Sequence, residues 1–395
     1  MRQTIETARK LGFAALLDRI KEAGLAEYGL VPEPLEEKIY RACAKEGDPY
    51  VHAGLNNADV DRVLLGLLKE DPEKVLSGIA AAGELVKAAA CFLYLPEDEQ
   101  ELAAALKPKA EEYRVVLVND IINVRESEGD LLLHIVTAAD LADLIDGCYE
   151  PGVYIAGEDG SLRKTASGTP VTELANGEDA KAYYLGYQFY TPAEAAELTA
   201  KDAVTGCVRV LTSKDCIVSE TQKILLKYRK ASCGRCVFCR EGLIQLEYMQ
   251  KEITMARGKG SQLDLTREIG EAMVYSTLCT VGQESSKIAL SAIEKFGGEF
   301  EAHIKKNKCP AGVCAAFVHI YIDPSACTGC GDCIDVCPAD CIEGKSNFIH
   351  MIDEFECTKC GKCIEACGDD AIQMTSGKLP KLPNRLVKVG KFKKH

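Results

Sequence analysis

Cys327-Thr328-Gly329-Cys330-Gly331-Asp332-Cys333-Ile334-Asp335-Val336-Cys337-Pro338, answered by Cys357-Thr358-Lys359-Cys360-Gly361-Lys362-Cys363-Ile364-Glu365-Ala366-Cys367-Gly368, writes C-x2-C-x2-C-x3-C twice. This is the ligand spacing of a pair of [4Fe–4S] clusters. Each cubane takes four thiolates, and the last cysteine of a run ligates the other cluster. The expected ligand sets are therefore Cys327, Cys330, Cys333 and Cys367 for one cluster, and Cys357, Cys360, Cys363 and Cys337 for the other. The clusters are expected as close neighbours in one small ferredoxin-type domain. Pro338 completes the first run, whereas Gly368 departs from it outside the ligand set. Disulfides or zinc sites are the competing reading of eight cysteines, and the spacing disfavours both. The chemistry expected is movement of single electrons.

The composition agrees with a redox protein of a reducing compartment. The chain has 20 cysteines in 395 residues. A small secreted chain would spend them on disulfides, but this chain is long and groups them in metal-ligand spacings. Its opening MRQTIETARKLGF has no apolar signal core, so a cytoplasmic location is expected. Apolar runs such as Ala88 to Leu95 are too short to span a bilayer, so no direct membrane insertion is expected. A net charge of −13 argues against a phosphate-binding surface and hence against nucleic acid. The length suggests two to four domains.

Residues 1 to about 48 read as helix, with Phe13, Leu16, Leu17 and Ile20 on one face, until Pro32 and Pro34 break the pattern. Two helical stretches from Asp61 to Ala90 meet at Asp71-Pro72, where Asp caps and Pro occupies the first turn. Cys91 to Leu95, Val115 to Val118 and Leu131 to Val136 read as strands, an α/β alternation. Near residue 150 the texture becomes Gly-rich and β-rich, with Val153, Ile155, an Asp159-Gly160 hairpin signal and Gly168-Thr169-Pro170. From about Cys216 to Lys306 the chain is helical again.

Between those helices lies a second cofactor signal. Ser232-Cys233-Gly234-Arg235-Cys236-Val237-Phe238-Cys239-Arg240-Glu241-Gly242 offers three thiolates at C-x2-C-x2-C spacing, and Cys279 is the natural fourth ligand. A third [4Fe–4S] cluster is expected there. A zinc knuckle with a remote fourth ligand is the alternative.

The Ser232–Gly242 stretch with its later cysteine resembles the cluster-binding helical domain of the NADH-binding flavoprotein (51 kDa-type) subunit of complex I and its relatives in NAD-linked and electron-bifurcating [FeFe] hydrogenases and formate dehydrogenases. Phe296-Gly297-Gly298-Glu299-Phe300-Glu301-Ala302-His303-Ile304 is similar to that family too. Val153 to Gly157 with Gly168 to Val171 resembles its soluble-ligand-binding β-grasp module. Asp61 to Leu65 with Asp71 to Gly78 resembles a stretch of its flavin domain. Cys309-Pro310-Ala311-Gly312-Val313-Cys314 leading into a double ferredoxin is similar to the hydrogenase-type members. The resemblance covers residues from about 50 to 375. It implies a multidomain α+β chain: a reduced α/β flavin-domain-like region at 1–148, a β-grasp module at 149–205, a helical-bundle cluster domain at 206–306, a bacterial-type ferredoxin domain at 307–375 and a basic tail at 376–395.

The departures matter as much. The family's G-R-G-G-A-G-F-P loop has no counterpart, and Leu55-Asn56-Asn57-Ala58-Asp59-Val60 stands where the family has an Asn-Gly-Asp-Glu segment. Backbone amides of a glycine-rich turn are what cradle a flavin phosphate or a dinucleotide. Tight binding of FMN or NADH by this chain is therefore not expected.

Cys309 and Cys314, at C-x4-C spacing, are candidate zinc ligands with His350; His303 or His319 are alternative nitrogen donors and Cys341 a further thiol. Unliganded buried thiols with a surface histidine are the competing reading. Cys43, Cys91, Cys148, Cys207 and Cys216 have no ligand spacing and read as small apolar fillers. Tyr183, Tyr184, Tyr187 and Tyr190 read as core or interface. The tail carries Lys378, Lys381, Arg385, Lys388, Lys391, Lys393 and Lys394, which suit an acidic partner or a solvated tail.

The function expected is electron relay within a multi-subunit oxidoreductase. Partners would be a thioredoxin-like [2Fe–2S] subunit and a catalytic metal or flavin subunit. A complete NAD(P)H dehydrogenase with a diverged FMN site and a cluster-stapled scaffold are the alternatives. Lys227, Arg229, Lys230, Arg235 and Arg240 surround the helical motif, whereas Asp332, Asp335, Asp340, Asp353, Glu354, Glu356, Glu365, Asp369 and Asp370 crowd the ferredoxin runs. Positive charge favours the reduced cluster, so the helical-domain cluster is expected at the higher potential.

Overall fold

The computed structural model describes residues 2–157, 159–175, 177, 179–376 and 379–392. The chain builds two compact units from discontinuous segments: Met1–Thr212 with Leu225–Ile244 and Ile269–Ser291, and Ser213–Ile224 with Gln245–Glu268 and Ala292–His395.

The first unit opens with the helix Arg2–Glu22, which buries Leu16, Leu17 and Ile20 but leaves Phe13 42% exposed. The helical face expected there is interrupted at Gly12, whose φ of 73° is outside the helical region. A second helix, Leu35–Cys43, follows the proline break. Four strands come next: β1 (Tyr50–Gly54), β2 (Ala90–Leu95), β3 (Val115–Asn119) and β4 (Leu131–His134). They form a wholly parallel sheet in the order β3-β2-β1-β4. The strand expected to run to Val136 stops at His134 because the helix Ile135–Asp146 begins there, with His134 Nδ1 accepting the Val136 N–H at 3.1 Å.

The helix Pro72–Val86 starts as the sequence predicts, with Asp71 accepting the Lys74 N–H at 3.2 Å and Pro72 in the first turn. Together with Ile135–Asp146 it covers the core face of the sheet, where Val51, Ala53, Leu93, Leu95, Leu131 and Leu133 are buried. Each such side chain contributes roughly 1.5–3 kcal/mol when fully withdrawn from water. The two helices approach so closely at Gly78 that an added Cβ would lie 1.7 Å from the Ala138 carbonyl oxygen.

Beyond the sheet, β5 (Val153–Ala156) and β6 (Leu162–Thr165) pair antiparallel around the predicted Asp159-Gly160 turn. Strands β7 (Ala180–Leu185), β8 (Gln188–Tyr190) and β9 (Arg209–Thr212) form a three-stranded sheet in the order β8-β7-β9. Tyr183, Tyr184 and Tyr187 are buried, and the Tyr187 hydroxyl donates to Asp59. These tyrosines are packing residues. Four helices, Ile217–Ala231, Val237–Thr254, Ser261–Ser276 and Thr280–Lys305, follow.

In the second unit the ferredoxin segment repeats itself. Strand β10 (His319–Ile322) pairs antiparallel with β13 (Ile372–Thr375), and β11 (Ile342–Glu343) with β12 (Met351–Ile352). Part of the basic tail closes on it: Val387 and Phe392 pack against its core, and Ile349 N–H donates to Val387 O at 2.9 Å. The stretch is held through Val387, Phe392 and its backbone, while Lys381, Arg385, Lys388 and Lys391 are exposed; Lys378, Lys393 and Lys394 lie outside the described residues. No helix among the described residues is long and apolar enough to cross a membrane.

Candidate metal centres

Cys233, Cys236 and Cys239 sit where the helix Ile217–Ala231 gives way to Val237–Thr254. The turn needs Gly234, whose φ is 70°, and is held by Arg240, which donates to the Gly234 carbonyl at 3.0 Å. Cys279 comes from the far end of the next helix pair and stands just before the helix Thr280–Lys305. Burial pushes Cys239 up to about 11, Ser232 opposes this, and charge on Cys279, Cys236 and Cys233 adds to it. Burial likewise raises Cys279, while the Val281 and Gly282 N–H groups at the helix start favour its thiolate. Cys233 is exposed and Cys239 buried, so the site opens to the surface on one side.

In the ferredoxin segment the two ligand sets face two separate cavities. Cys327, Cys330, Cys333 and Cys367 line one, with Ile322, His350 and Ala371. Cys337, Cys357, Cys360 and Cys363 line the other, with Ile320, Ile352 and an additional thiol, Cys341. The crossing of Cys337 and Cys367 between runs is visible in the electrostatics. Burial first, then charge on Cys327, Cys330 and Cys367, pushes Cys333 up to about 12. Burial raises Cys363 too, with Cys357, Cys360 and Cys337 as its charged neighbours. Thiols that accumulate such mutual repulsion are relieved by cationic iron, and the donor sets fit cubanes.

A different arrangement appears at Cys216, His303, Cys309 and Cys314. Their donor atoms all lie within 4.8 Å of one another, and all four residues are buried. Cys216 Sγ is 3.5 Å from His303 Nε2 and 3.6 Å from Cys314 Sγ. His303 Nδ1 donates to the Glu299 carbonyl at 2.7 Å, which turns the Nε2 lone pair toward Cys216 and the other thiols. Hydrogen bonds from Cys216 and Cys314 hold Cys309 well below the ordinary thiol range, against its burial. Crowding around one point suits a single ion, whereas cubane ligands must reach four different irons. His350 is not in this group: its Nδ1 lies 3.9 Å from Cys327 Sγ, on a cluster cavity. Nor are His319, which pairs with Glu354, and Cys341, which sits against Cys337. Cys216, read from sequence as a filler, completes the set; its distance along the chain offered no spacing to find it by.

A cavity of about 770 Å³ adjoins the helical cysteine set. Leu55, Tyr94, Leu95 and Asp120, from the C-terminal ends of β1, β2 and β3, form one side, and Ser232 and Cys233 another. Open parallel sheets bind ligands at that edge. Two of its cations are committed, with Arg62 2.6 Å from Asp98 and Lys227 2.5 Å from Asp61. Asp59, Glu97, Asp98 and Asp120 outnumber Arg62, Lys227 and Lys230, and no glycine is among the described lining residues. These residues do not fit a flavin phosphate.

Residues 220–303 match the NADH-ubiquinone oxidoreductase-F iron-sulfur binding region, and residues 319–368 match a 4Fe-4S dicluster domain. The chain carries two iron–sulfur binding domains. All four helical cysteines fall within the first match and all eight ferredoxin cysteines within the second. The chain is 38% identical over 146 residues to the NADP-reducing hydrogenase subunit HndC of Solidesulfovibrio fructosivorans, covering 37% of this chain and 30% of that protein. To an NADH-quinone oxidoreductase subunit of Mycobacterium bovis it is 26% identical over 106 residues, 27% of this chain and 24% of that one. The chain thus matches less than a third of the length of either relative. An NAD+-reducing [NiFe]-hydrogenase in the H2-reduced state shares the fold at a TM-score of 0.63 and 17% identity, over 76% of this chain and 64% of that one.

Proposed function

We propose that this chain is an iron–sulfur subunit of an oxidoreductase complex of the hydrogenase, formate dehydrogenase or NADH dehydrogenase type, relaying single electrons between its ferredoxin-type clusters, its helical-domain cluster and a partner redox centre. The observation that carries this is the grouping of the cysteines: the two ferredoxin sets line separate cavities, and Cys279 joins Cys233, Cys236 and Cys239. When bound, such clusters supply one-electron oxidation and reduction. The chain's own part is to hold the thiolates, exclude water from Cys239, Cys333 and Cys363, and set local charge. The segments are read as a reduced flavin-domain-like region (1–148), a β-grasp module (149–205), a helical cluster domain (206–306), a ferredoxin domain (307–375) and a basic tail. A thioredoxin-like [2Fe–2S] subunit and a catalytic metal or flavin subunit are the partners proposed, in the cytoplasm.

A structural zinc ion is assigned to Cys216, His303, Cys309 and Cys314. Three thiolates and an imidazole would supply all four ligands of a zinc ion, the donor set of a structural rather than a catalytic site.

Anaerobic metal analysis of the reconstituted chain should give about twelve irons. About eight would remove the helical cluster from the assignment, and Cys279→Ser should lose that cluster alone. The cavity beside Cys233, at the sheet's C-terminal edge, favours a second reading in which the chain is itself an NAD(P)H dehydrogenase. Its acidic lining supports the electron-relay reading instead. The purified chain should release no stoichiometric flavin, and NADH should not bleach clusters that dithionite reduces; either opposite result would favour the dehydrogenase. Clusters that dithionite also fails to reduce would point to a scaffold.

A further inference from the structure

The two halves of the ferredoxin segment superimpose in sequence at an offset of 30 residues, which pairs Cys327 with Cys357 and Cys337 with Cys367. At that offset Cys341 answers to Ala371, and both line their respective cavities. The turn is the same in each half. Ala371 N–H donates to Cys367 Sγ at 3.3 Å, and the Cys341 N–H supports Cys337 in the same way. Asp340 and Asp370, just before them, share the left-handed backbone, with φ of 47° and 50°. At this position one half carries a thiol and the other a methyl group. One cavity therefore has four thiols and the other has five. The fifth is 4% exposed, and its Sγ lies 3.5 Å from that of Cys337 and also reaches Cys357.

We propose that Cys341 is a reserve ligand of the cluster held by Cys337, Cys357, Cys360 and Cys363, and takes over the iron of Cys337 when that thiolate is withdrawn. In the exchange the Cys337 sulfur–iron bond breaks and a Cys341 sulfur–iron bond forms. Cys341 gives up its proton and Cys337 gains one, and no electron changes hands. The sulfur has only the 3.5 Å gap between the two thiols to cross. The other cluster lacks this capacity, because Ala371 presents a methyl group where Cys341 presents a thiol. The inference rests on the assignment of a cubane to that cavity. The iron content of the unaltered chain tests the assignment separately.

The test removes ligands by alanine, which, unlike serine, offers no oxygen to iron. Cys337→Ala and Cys341→Ala should each retain about twelve irons, whereas the double variant and Cys367→Ala should each fall to about eight. In Cys337→Ala the EPR signal of the reduced second cluster should persist with altered g-values, because a different cysteine now holds one iron. A Cys337→Ala chain with about eight irons, or one that does not fold, overturns the proposal. So does a double variant that keeps all its iron, since something other than Cys341 would then be the substitute. An unaltered chain with only one ferredoxin cluster would instead remove the underlying assignment.

Discussion

Charge next to a cluster acts through individual residues, and here the partners matter as much as the cations. Lysines and arginines crowd the helical motif in sequence, but Lys227 is 2.5 Å from Asp61, Arg235 2.9 Å from Asp120 and Arg240 2.8 Å from Glu241. Half-exposed pairs of this kind are screened, so the field at the cluster is smaller than the count of cations suggests. Asp120→Asn should unmask Arg235 and raise that cluster's potential, and Arg235→Glu should lower it, each by on the order of tens of millivolts. An EPR-monitored redox titration checks this, with Cys279→Ser identifying the signal. No change in either variant would show that backbone groups alone set the potential. His350 poses the same question at the first ferredoxin cluster. It occupies the position of Ile320 in the other half, and burial lowers its pKa. His350→Ile removes the polar imidazole beside Cys327 and should lower only that cluster's potential.

Among the elements, the tightest constraint is the contact of the helices Pro72–Val86 and Ile135–Asp146. Gly78 has no room for a methyl group against the Ala138 carbonyl, and backbone cannot yield as a side-chain tip can. Gly78→Ala should therefore cost about 1–3 kcal/mol or more and lower the melting temperature by several degrees. Thermal unfolding followed by circular dichroism measures the loss, and an unchanged midpoint would mean that the helices move apart without penalty. The first helix makes the complementary point. Its apolar spacing reads as one continuous face, yet Gly12 interrupts it and Phe13 turns toward solvent. A period-based reading counts residues along an ideal helix and does not see a single backbone departure.

At the scale of the molecule, two kinds of metal site are expected to respond differently to perturbation. Cys216→Ala should remove about one zinc and leave about twelve irons, with a lower melting temperature because three buried donors lose their common ion. Metal analysis and calorimetry on the same sample decide it. Loss of iron in place of zinc would mean that this group serves a cluster. The basic tail also acts at this scale. Val389 N–H donates to Asn347 O at 3.1 Å, and Phe392 packs on the ferredoxin core, so this stretch is already engaged within its own chain.

Local spacing carries the parts of this protein whose chemistry is local. Two C-x2-C-x2-C-x3-C runs and one C-x2-C-x2-C run place three thiolates each within a single turn, because the backbone between them is too short to do otherwise. The cap at Asp71-Pro72 and the hairpin at Asp159-Gly160 are legible for the same reason. Tertiary structure alone decided what depends on distant segments meeting. Cys216 joins His303, Cys309 and Cys314; Asp120 neutralises Arg235; His350 turns to Cys327 instead of Cys309; and Cys341 enters a cluster cavity while Ala371 stands in its place on the other side. Each is a contact between residues whose separation along the chain has no fixed relation to their separation in space, and only packing sets it.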